Sequence, residues 1–212
     1  MKFRIDSPFF QFMNMFASFV GLNIVFLVTC IPIVTIGPAL TALYTVTMQE
    51  AREEHGYIFS TYFKAFRSNL LQSAAAFLLY LLLGSVLLFN IVFWGNLGTI
   101  AGNAVLFFLT FVSVIAVISF LYTFPLLARY RNTLGRTLRN AFPVAMAHRK
   151  YTLALLGIQA AVIAACAWIP QAKIFMVILG FSFLAYFNSW ILVRVFRDYE
   201  EDNDAAASIC PE

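Results

Sequence analysis

Charge is what this sequence has least of. Asp, Glu, Lys and Arg together supply 11% of its 212 residues, against about 25% in an ordinary soluble domain. Apolar residues reach 62% and the mean hydropathy is +0.84. Such a chain cannot clothe a water-facing surface, so lipid must be its solvent. The expected fold class is all-α: a polytopic helical membrane protein with no soluble domain. Cysteine is scarce too. Cys30, Cys166 and Cys210 share no spacing that would suggest a disulfide framework or a zinc site. The start "MKFRIDSPFF" is weakly basic but lacks a small-residue cleavage motif, so no removable signal peptide is expected.

Catalytic signatures are missing as well. The sequence contains no H-E-x-x-H, no G-x-S-x-G and no Walker-type glycine loop. His55 and His148 stand in different connections with no acid or cysteine at ligand spacing. No catalytic residue, metal, cofactor or ATP-driven engine is expected, and the chain is not read as an enzyme. The apolar stretches hold no Asp, Glu, His or Arg, the groups that proton- and ion-coupled carriers keep inside the membrane because they work there.

What the sequence does have is long uncharged runs. Ser7 to Gln49 and Ser68 to Ala128 carry no charge, and Tyr151 to Val193 carries only Lys173. One crossing takes about 20 residues, so each run suits a hairpin of two. "WGNLGTIAGN" (94–103) divides the second run and "WIPQAK" (168–173) the third, with Trp suited to the lipid–water boundary. In the first run "PIVTIGP" (32–38) plays that part: Pro32 ends one helix, and Pro38 fits the first position of the next. Six membrane segments follow, at about 10–33, 38–51, 70–93, 103–128, 151–169 and 173–195, within a single domain of residues 1–197. The second segment is short, so it is tilted, partial or re-entrant. The break at Pro32, Thr35, Gly37 and Pro38 is accordingly a surface turn or, if the segment dips inward, a site at a helix end.

Six segments put every lysine and arginine except Lys173 on the side of both termini, which the positive-inside rule makes cytoplasmic. Five segments would move Lys2 and Arg4 across and fit less well. The two long connections on that side are amphipathic. In 50–70, Phe59, Tyr62, Phe63, Phe66 and Leu70 form a helical stripe with Lys64 and Arg67 opposite. In 129–150, Leu134, Leu138, Phe142 and Met146 fall on one line among six basic residues, Arg136 and Arg139 included. Three uses remain open for these helices: lying on the inner leaflet, docking a protein, or binding a small anion. Nucleic acid is not an expected partner, because the basic stretch is short and tied to membrane helices on both sides. The buried polar candidates Asn23, Asn90, Gln159 and Asn188 are helix contacts or a solute path. After Arg197 the acidic, small-residue-rich residues 198–212 suit a solvated, mobile cytoplasmic tail.

"IPIVTIGPALTALYTV", "YFKAFRSNLLQSA" and "LRNAFPVAMAHRKYTL" together resemble the YesL family of bacterial integral membrane proteins. The matching positions are Pro32, Thr35, Gly37 and Pro38, then Tyr62, Phe63, Phe66 and Asn69, then Arg139, Asn140 and Ala141. The resemblance implies a multi-pass protein of the bacterial cell membrane with no settled biochemical activity. It also implies genes placed beside those for ABC-type sugar import and glycoside hydrolases. The expected function is therefore a non-catalytic accessory of carbohydrate uptake that contacts lipid and ABC permease subunits. The alternative is a stand-alone carrier of a small neutral or sugar-like solute.

Overall fold

The structure, a computed structural model, describes residues 8–54, 56–130 and 133–209. Residues 1–7 (with Lys2 and Arg4), His55, Arg131, Asn132 and residues 210–212 lie outside the described residues. Every regular element in the described chain is helical: α1 (Pro8–Thr29), a 3-10 turn (Ile33–Thr35), α2 (Ile36–Ala51), α3 (Ile58–Ser68), α4 (Leu70–Leu97), α5 (Ile100–Arg129), α6 (Leu134–Ala147), α7 (Arg149–Trp168), α8 (Pro170–Phe175), a π segment (Met176–Gly180) and α9 (Phe181–Ile209). Among the described residues, four stretches are long and apolar enough to cross a membrane: α4, α5, α7 and the run Pro170–Asp198. Helices of this kind satisfy their own backbone in lipid, as a spanning segment must. The protein is a polytopic helical membrane protein.

Local chemistry explains the turns. Gly98 takes the left-handed conformation (φ 60°) that ends α4, where a side chain would be strained. Thr99 then accepts a hydrogen bond from the Gly102 N–H at 3.1 Å and caps α5. Pro170 opens α8 at its first position. In the first hairpin the break is real but shifted. Helix α1 stops at Thr29, ahead of Pro32, and α2 begins at Ile36, so Pro38 occupies the third helical position. Its missing N–H still falls among the four that a helix start leaves unpaired. The last helix runs on to Ile209, through much of the acidic segment that follows Arg197.

Helix α2 sits at the centre of the bundle, packed against α3, α4, α5 and α9. Gly37, Pro38, Ala39, Thr41, Ala42, Leu43, Tyr44, Val46, Thr47 and Met48 are all buried. Its apolar stretch reads as short because protein, not lipid, covers it. Thr41 bonds Ser73 of α4 at 2.8 Å, and Thr47 bonds Ser189 of α9 at 2.7 Å. Gly37 makes the closest approach: a β-carbon there would meet the Ser73 carbonyl, and would lie 2.8 Å from the Phe77 Cβ.

Candidate functional site

The two amphipathic connections form α3 and α6, and both fold back onto the bundle. On α3, Tyr62 and Ala65 are buried and Phe66 is half-buried, stacked on Tyr62 with ring centres 6.3 Å apart. Phe59, Phe63 and Arg67 are exposed. On α6 the buried face is Thr137, Ala141, Val144 and Ala145. Leu134, Leu138 and Phe142 lie half-buried at its flank, and Arg136, Arg139 and Met146 face outward. Small residues let α6 approach its neighbours closely, so the seam follows them rather than the larger apolar line.

The first break lies beside α3. The Thr29 hydroxyl and the Tyr62 phenol are hydrogen-bonded at 2.6 Å. Burial pushes the Tyr62 phenol well above its ordinary pKa, the Thr29 bond opposes that, and Cys30 adds to it. The phenol therefore stays protonated at neutral pH. Thr35 does not cap α2; its hydroxyl contacts the carbonyls of Thr29 and Pro32, both at 2.7 Å. The break touches the first two turns of α4 through Gly37, with Ser73 and Phe77. The α4–α5 turn lies about 20 residues beyond Phe77, or roughly 30 Å along the helix. The exposed residues of the break, Ile31, Pro32, Ile33 and Val34, are all apolar. Internally satisfied carbonyls and an apolar exterior are what irregular backbone needs at membrane depth.

The four polar candidates do not converge. Asn23 is fully buried and bridges the π segment: its amide N–H donates to the Val177 carbonyl at 2.6 Å and its oxygen accepts from the Ser182 N–H at 3.1 Å. Those backbone groups are five residues apart, the pairing that a π turn would close on itself. Asn188 is buried and donates to the Tyr44 hydroxyl at 3.4 Å, while its oxygen has no partner among the described residues. Asn90 is half-buried on α4 and bonds the Val86 carbonyl of its own helix. Gln159 is half-buried on α7.

A polar chamber of about 690 Å³ opens where four elements meet. Helix α2 contributes Thr45 and Gln49, α3 contributes Thr61, Lys64 and Ser68, and Asn69 and Gln72 stand at the α3–α4 junction. Arg129, Tyr130 and Thr133 close it from the end of α5. Thr61, Lys64, Ser68, Asn69, Arg129, Tyr130 and Thr133 belong to the two connections that the sequence singles out, but nothing in the sequence joins them to Thr45, Gln49 or Gln72. Among the described residues, no group of three or more His, Cys, Asp and Glu is placed to hold a metal ion.

No curated protein and no solved structure matches the chain. Residues 19–91, from the second half of α1 through most of α4, match the family model described as a protein of unknown function, DUF624.

Proposed function

We propose that the protein is a non-catalytic accessory component of ABC-type carbohydrate uptake, which presents its connector end to transporter subunits. The observation that carries this is the build of α3. Its inner face is locked down by Tyr62 and Ala65, Phe59 lays its ring tip on Gly21 of α1, and the outer face offers Phe63 and Arg67 as a fixed apolar and basic surface. A helix that only lay on lipid would have no need of the Tyr62–Thr29 bond. The carbohydrate context comes from the YesL resemblance. A stand-alone carrier would call for Asn23, Asn90, Gln159 and Asn188 to line a shared path, and their separate contacts give that alternative no support.

The test is co-purification from the native host in mild detergent. Phe63→Asp, on the exposed face, is expected to lose ABC permease subunits while membrane insertion and yield stay intact. Phe66→Asp is a poorer probe, because Phe66 packs on the core. Unchanged recovery of permease subunits with Phe63→Asp would refute this docking role.

A further inference from the structure

At the connector end of the bundle, α9 carries Trp190, Arg194, Arg197 and Asp198. They follow one another at helical spacing and so share one face. That face closes a cavity of about 370 Å³, whose other walls are Ala51, at the end of α2, and Tyr151, in the first turn of α7. The Arg194 guanidinium lies over the Trp190 ring, 3.6 Å from its centre. A stack this close fixes the plane of the guanidinium. Its N–H groups point out along that plane, in the fork geometry that fits a phosphate. Among the described residues neither Arg194 nor Arg197 has an ion pair, although Asp198 stands in the same wall.

The setting is that of a lipid. Trp190 and Arg194 lie exposed near the end of the run Pro170–Asp198, which is long and apolar enough to cross a membrane. Phe187, one turn further into that run, is 57% exposed. Trp favours the lipid–water boundary, and Arg extends from there to the headgroups. Charge then selects among headgroups. Two arginines less one carboxylate leave the wall one positive charge, the match for a phosphodiester. A carboxylate only accepts hydrogen bonds, so the part of the headgroup beyond the phosphate must donate. Choline has no donor, and ethanolamine adds a positive charge to a wall that already has one. Glycerol donates through its hydroxyls and adds no charge. We propose that this cavity holds the headgroup of a phosphoglycerol lipid, with Arg194 and Arg197 on the phosphate and Asp198 accepting from a glycerol hydroxyl. The site shares no residue with α3 and is independent of the docking role of Phe63.

The experiment reconstitutes the full chain in vesicles of equal parts phosphatidylcholine, phosphatidylethanolamine and phosphatidylglycerol. The chain is then extracted in mild detergent, and the lipids it retains are counted by native mass spectrometry. Phosphatidylglycerol is expected to be retained over the other two. Arg194→Gln, at an exposed position, should lower its retention about tenfold, the loss of one charge-assisted contact. Trp190→Leu should lower it without changing net charge. Arg136→Gln, exposed on α6 and outside the cavity, should leave it unchanged. Equal retention of the three lipids, or a preference for phosphatidylethanolamine, overturns the proposal. So does a preference for phosphatidylglycerol that Arg136→Gln weakens as much as Arg194→Gln, because general surface charge would then be holding the lipid.

Discussion

Helices α1–α2 and α4–α5 are both hairpins uncharged but for Glu50 and Arg129 at their ends, and they are built for different surroundings. Nearly all of α2 is enclosed by protein, whereas α4 beyond Phe77 and α5 up to Val117 mostly face outward, with Leu82, Phe89, Phe107 and Phe111 each 60% or more exposed. The sequences differ accordingly. Helix α2 carries Thr41, Tyr44 and Thr47, which bond across helix seams, and Thr45, which bonds back to the Thr41 carbonyl. Where α4 and α5 carry Ser85, Asn90 and Thr110, those side chains bond back to their own helices. A polar side chain in a membrane protein thus reports its surroundings by where its hydrogen bond goes. A bond between helices marks a protein seam, as Thr41–Ser73 and Thr47–Ser189 do, even where the same hydroxyl also bonds its own helix.

The sharpest way to break this contrast is a pair of glycines. Gly37→Leu drives a side chain into the Ser73 carbonyl and Phe77, and is expected to abolish folded yield in detergent. Gly84→Leu on α4 meets nothing within 4 Å, and is expected to express and melt like the parent. Next in size is Asn23→Leu. It strips partners from the Val177 carbonyl and the Ser182 N–H, and is expected to cost about 2–4 kcal/mol, since each buried unpaired group costs about 1–3. Reversible unfolding in mixed micelles measures it; a loss below 1 kcal/mol would show that the π segment closes without Asn23. Thr35→Val removes the hydroxyl from the Thr29 carbonyl, while the Pro32 carbonyl keeps the Thr35 N–H at 3.0 Å, and should cost about 1 kcal/mol by the same assay.

The smallest effects sharpen the contrast most finely. A double-mutant cycle of Thr47→Val and Ser189→Ala is expected to show a coupling of about 0.6 kcal/mol, typical of a hydrogen bond between membrane helices. Thr110→Val on α5, which crosses no seam, should change stability by less than about 0.5 kcal/mol. Equal effects at the two places would remove the distinction.

Much of this architecture was legible in the sequence for a physical reason: charge and turn residues are excluded from lipid, so their positions bracket the helices. "WGNLGT" and "WIPQ" mark the ends of α4 and α7, and the connectors declare themselves as amphipathic helices. Other features depend on neighbours distant in sequence. The short apolar stretch of α2 does not reveal by itself that protein encloses it. The line Leu134–Leu138–Phe142 suggests a seam, but the smaller Thr137, Ala141 and Ala145 make it, because close approach outweighs side-chain bulk. The chamber draws single residues from four elements, and nothing in a local pattern links Gln49 to Gln72 or Arg129. A glutamine at the end of an apolar run beside a basic connector is the one signal that could have pointed there.

The central claim is that protein encloses α2 while α4 and α5 face the bilayer. Its most direct test is photolabelling in nanodiscs made with a diazirine-bearing acyl chain, with adducts located by mass spectrometry. The account predicts dense labelling of residues 78–93 and 104–117 and almost none from Gly37 to Met48. Labelling of the α2 stretch as heavy, residue for residue, as that of α4 and α5 would contradict it.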